Sequence, residues 1–69
     1  MKKRNIQRLE NAAERIQRAM ELIDIALEQD GDNFSNSDYY YLRQLSIKMF
    51  TDINLIRTIV KVAKEDMRV

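Results

Sequence analysis

The sequence has no cysteine, no histidine, no proline and no tryptophan, and only one glycine among its 69 residues. Without cysteine there is no disulfide staple. Without cysteine and histidine the usual ligand sets for structural zinc are also missing. The lack of proline and near-lack of glycine removes the two strongest helix breakers, so long helical runs are permitted. No apolar stretch approaches the roughly 20 residues needed to span a bilayer. The opening MKKRNIQRLE is basic but no apolar segment follows it, unlike a secretory leader. These features predict a cytoplasmic chain that does not enter a membrane. An excess of one charge is lacking too: 12 basic against 11 acidic residues leave a net charge of +1. No global field therefore draws the protein toward nucleic acid or lipid.

What is present is 45% apolar and 33% charged residues, the composition of a single all-α domain. A chain this short buries only about 60% of its extended surface, so an isolated core is marginal. Small folds compensate with disulfides, a metal or association. The first two have no ligands here, and association remains.

The apolar residues form two stripes. Ile6, Leu9, Ala13, Ile16, Met20, Ile23 and Leu27 alternate steps of three and four, which predicts an amphipathic helix over about 4–29. Leu42, Leu45, Met49, Ile53, Ile56, Val60, Ala63 and Met67 predict a second over about 36–67. Residues 30–35 make the turn between them. Gly31 suits a left-handed helix terminus, and Ser35 with Asp38 resembles a capping box flanked by a Phe34–Tyr39 staple. A short connection makes the helices antiparallel neighbours.

The two stripes match in register. Leu27 with Leu42, Met20 with Met49, Ile16 with Ile53, Ala13 with Ile56, Leu9 with Val60 and Ile6 with Ala63 share one constant sum of position numbers. Along one edge Glu10, Glu14 and Glu28 are expected to meet Lys61, Arg57 and Arg43. Such exposed pairs contribute only about 0–1 kcal/mol each and set register more than stability. The other edge is apolar. At about 100° per residue, Ala12, Ala19 and Ala26 make a second row on the first helix. Leu55, Ile59 and Val62, with Tyr41 in line, make one on the second. A hairpin cannot cover that edge itself. The expected solution is a homodimer closing a four-helix bundle, or a different helical protein in the second copy's place.

No constellation for catalysis stands out. Asp52 is the one acid near the inner stripe and is expected to turn outward at the rim. No Glu-x-x-His pair exists for a carboxylate-bridged metal centre. In EQDGDNFSNSD the acids are out of step with a calcium loop, because Gly31 falls between Asp30 and Asp32. No enzyme, cofactor or metal is therefore expected. The predicted function is protein–protein interaction by helix packing, as a small adaptor, chaperone subunit or inhibitor. Leu22, Ile25, Tyr40 and Ile47 are candidate partner contacts near the turn, since three consecutive tyrosines cannot all face one seam. The alternative is a nucleic-acid-binding regulator, with Arg4, Arg8, Arg15 and Arg18 on the outer face of the first helix contacting phosphates. That face lacks the aromatics on which single strands stack.

Overall fold

The computed structural model describes residues 1–67. Helix α1 spans Lys3–Asp30, a 3-10 turn follows at Gly31–Asn33, and helix α2 spans Asn36–Met67. The two helices pack against each other along their length as an antiparallel hairpin. The described residues contain no strand.

Ser35 starts α2 as expected. Its Oγ accepts the Asp38 N–H at 3.0 Å and its carbonyl accepts the Tyr39 N–H at 2.9 Å, so two donors of the first turn are satisfied. Gly31 corrects the expectation of a left-handed terminus. It sits in right-handed helical geometry, with φ −57° and ψ −33°. The need for glycine there is one of space. A Cβ at Gly31 would stand 2.9 Å from Tyr39 Cε2 and 3.4 Å from Cδ2. The aromatic ring that opens α2 thus lies over the end of α1, and glycine lets it approach. Asn33 closes the turn by donating its side-chain amide to the Asp30 carboxylate.

The seam is built from the expected stripes. Ile6, Val60 and Ala63 form a buried cluster against which Leu9 and Ile56 pack, and Ala13, Leu27 and Ile53 are buried further along. One position departs from the expected stripe. Leu45 is 44% exposed, and Ser46 is buried in its place. Steps of four, three and four carry Leu42 through Ser46 and Met49 to Ile53, which keeps a straight helix on one face across three turns. The route through Leu45 needs two consecutive steps of four and swings away from the seam. Met67, the last residue of the expected stripe, is 43% exposed.

The polar edge also differs in detail. Lys64 pairs with Glu10, almost one turn further along α2 than the expected Lys61. Arg57 donates to Gln17 on α1 rather than reaching Glu14. Side chains of each helix lean toward that helix's own N-terminus. In an antiparallel pair two long side chains therefore converge only when both start further toward their C-termini. Short side chains have little lean, and Ser46 meets Asp24 close to level, at 2.6 Å.

The result is a rod of 52 × 14 × 13 Å. Its radius of gyration is 15.7 Å, against about 11 Å for a compact domain of this length.

Candidate functional site

The polar contacts between the helices divide the rod into two unlike edges. Glu10–Lys64, Gln17–Arg57 and Asp24–Ser46 all lie on one of them. On a helical wheel at about 100° per residue, these residues sit to one side of the seam on both α1 and α2. The opposite edge carries Ala12, Ala19 and Ala26 from α1 and Tyr41, Leu55, Ile59 and Val62 from α2.

That second edge is open. Tyr41 is 66%, Leu55 59%, Val62 50% and Ile59 44% exposed. Ala12 and Ala19 are half-buried at the rim, and Ala26 is exposed. Leu45, displaced from the seam, joins this face. The face therefore presents a shallow row of methyl groups beside a ridge of branched aliphatics. Small residues let a neighbouring helix come close, and the ridge supplies area to bury. Asp52 is half-buried on the same side and takes an ion pair from Lys48 at 3.1 Å, so it lies at the rim as expected.

A surface comparison gives this openness a scale. The chain exposes 5696 Å² at a mass of 8.2 kDa. A folded monomer of that mass exposes about 4500 Å², leaving an excess of roughly 1,200 Å². Standard protein interfaces bury about 800 Å² per partner.

Toward the turn the backs of both helices carry further exposed apolar residues, Leu22 and Ile25 on α1 and Tyr40 and Ile47 on α2. All four are about half exposed or more. Phe50, midway along α2 and belonging to neither stripe, is 56% exposed. It went unnoticed because it follows Met49 directly, where its aromatic character is hidden beside a seam residue. Tyr41 does not fold down over the end of α1. It meets Tyr40 edge to face, with ring centroids 5.6 Å apart and an interplanar angle of 69°. Tyr39 alone turns inward toward Gly31 and lines a polar cleft with Leu27, Glu28 and Phe34.

Arg4, Arg8, Arg15 and Arg18 are exposed on the outer side of α1. Arg8 donates to Asn5 at 3.1 Å, and Arg18 lies 4.0 Å from Glu21. Both partners are on α1, so no arginine of this row is drawn across to α2 by those contacts. Among the described residues no three acidic, histidine or cysteine side chains gather closely enough to hold a metal ion. No described helix is long and apolar enough to cross a membrane. No protein-family model matches the chain, and no curated protein or solved structure shows significant similarity to it.

Proposed function

We propose that this protein is a non-enzymatic helix-packing module that works as a homodimer, two hairpins closing a four-helix bundle. The observation that carries this reading is the surface excess together with its location. The surplus area, spread over an elongated rod, is comparable to a standard interface, and one edge of the rod is small-residue-rich and carries uncovered aliphatics, interrupted by the Lys48–Asp52 pair. A bundle of four helices buries such an edge from both sides. In that arrangement Tyr40 and Ile47 on the back of α2, and Leu22 and Ile25 on the back of α1, lie off the shared face. They would then serve as contacts for a further protein, the role expected of an adaptor, chaperone subunit or inhibitor. Tyrosine is enriched at such contacts.

The test is sedimentation of the native chain and of Ile59→Asp. The native protein is expected to run as a dimer at micromolar concentration. An aspartate placed in the dry interface leaves a charge without a partner and costs several kcal/mol, so the variant is expected to dissociate at least 100-fold more readily. A native chain that is a folded monomer at that concentration would overturn the proposal.

The row of exposed arginines supports a second reading, a regulator that contacts nucleic acid phosphates through α1. Loss of a salt-dependent gel shift in an Arg8→Glu, Arg15→Glu double variant would favour it, and absence of any shift in the native protein would exclude it.

A further inference from the structure

Two hairpins sharing the open edge can lie with their turns at the same end or at opposite ends, and the apolar contacts alone do not choose. The alanine row is evenly spaced about Ala19, near the middle of α1, and reads almost the same in either direction. Charge does choose. Residues 21–49 fold into the turn half of the rod and sum to −4. Residues 1–20 and 50–67 make up the other half of the rod and sum to +4 and zero, so its positive charge comes from α1. The hairpin is therefore a rod with an acidic end and a basic end.

This polarity reaches the open edge itself. On the helical wheel Asp30 of α1 and Asp38 of α2 border the edge at the turn end. Near the termini Arg8 borders it, with Arg4 and Arg15 one step further out, and Asp66 of α2 is the one acid beside them, so this end of the edge is basic on balance. All six are exposed. Hairpins packed with turns together would place one net-acidic end against the other and one net-basic end against the other. Neighbouring helices pack 8–10 Å apart, about one Debye length at physiological salt, so these charges are attenuated but still act on one another. Hairpins with turns apart place each acidic end against a basic one. The same reversal brings Tyr41 level with Val62 of the second copy, and Leu45 close to level with Ile59. It also brings the Lys48–Asp52 pairs of both copies together at the centre, where each lysine can reach the other copy's aspartate.

We propose that the second copy packs antiparallel, its acidic turn lying against the basic terminal end of the first. This rests on the dimer reading above and goes further by fixing the symmetry axis across the rod instead of along it.

The chain has no cysteine, so one introduced thiol labels one place. Asn36→Cys puts a spin label on an exposed residue at the turn end, on the side away from the proposed interface. At 1.5 Å per residue, antiparallel packing sets the two labels about 45 Å apart, and parallel packing sets them within about 30 Å. Pulsed dipolar spectroscopy is expected to give the long distance. Glu65→Cys, exposed near the other end of the rod, is expected to give a long distance too and guards against local disturbance at either site. A short distance in a sample that sediments as a dimer overturns the antiparallel arrangement and leaves the dimer standing. A sample that sediments as a monomer overturns both.

Discussion

Among the described residues, Ser46 and Asp24 form the one hydrogen bond that crosses the seam from a buried side chain. Asp24 is half-buried and the serine hydroxyl gives it a partner that moves only with the opposite helix. A hydrogen bond to a charged group is worth about 1.5–3 kcal/mol when well buried, and less where water reaches the carboxylate. Ser46→Ala is expected to cost about 1 kcal/mol, because Asp24 can turn partly to solvent. Asp24→Ala is expected to cost a similar amount, since the hydroxyl can fall back on a carbonyl of its own helix. The double variant should cost clearly less than the two losses together, and chemical denaturation of all four proteins measures the coupling. Additive losses would show that the bond contributes nothing to the pairing. This residue pair was not legible in the sequence. Serine carries no apolar signal, and Leu45 beside it offered a more hydrophobic but geometrically poorer route along the stripe.

At the scale of elements, the antiparallel hairpin, the ends of both helices to within a residue or so, and the pairing of the seam could be read from periodicity. Matching stripes demand one alignment, and a slip would bury charge. The polar edge could be read only as an edge. Its partners depend on how far long side chains lean, which spacing alone does not encode. The open face was legible because apolar residues repeat there without any place to go within the hairpin. Phe50 was not, because it stands in neither repeat. The turn was legible in its cap and misread in its glycine. Gly31 has ordinary helical angles, so alanine there gains from a less flexible unfolded chain by about 0.4–1 kcal/mol. Against this stands the Tyr39 ring, which is 40% exposed and can swing aside. Gly31→Ala is expected to be neutral to slightly stabilising. In a Tyr39→Ala background the same change should recover the whole gain. Thermal melts of the four chains would decide, and a loss above about 1 kcal/mol in the native background would show that the ring cannot move.

At the scale of the whole molecule, the described residues bury six apolar side chains, two of them alanine, which is a small core for two helices of 28 and 32 residues. A dimer draws further stability from every copy that binds another, so its melting temperature rises with protein concentration. A tenfold dilution is expected to lower the melting temperature by several degrees, read by circular dichroism at two concentrations. A melting point independent of concentration would mean that the lone hairpin supplies its own stability. The geometry of the turn adds a consequence for how such chains associate. Gly31 is already helical, and the backbone leaves helical angles on either side of it, at Asp30 (φ −137°, ψ 17°) and at Phe34 (φ −85°, ψ 148°). Straightening those few residues would run α1 into α2 as one continuous helix. The seam would then be rebuilt between two chains, each lending its second half to the other, with every side chain keeping its chemistry. The Ser35 cap, the Asn33–Asp30 and Phe34–Gly31 hydrogen bonds and the Tyr39 ring over Gly31 hold the bend against that exchange. Domain swapping is thus the failure this fold invites, and the turn is where evolution or an engineer would guard against it.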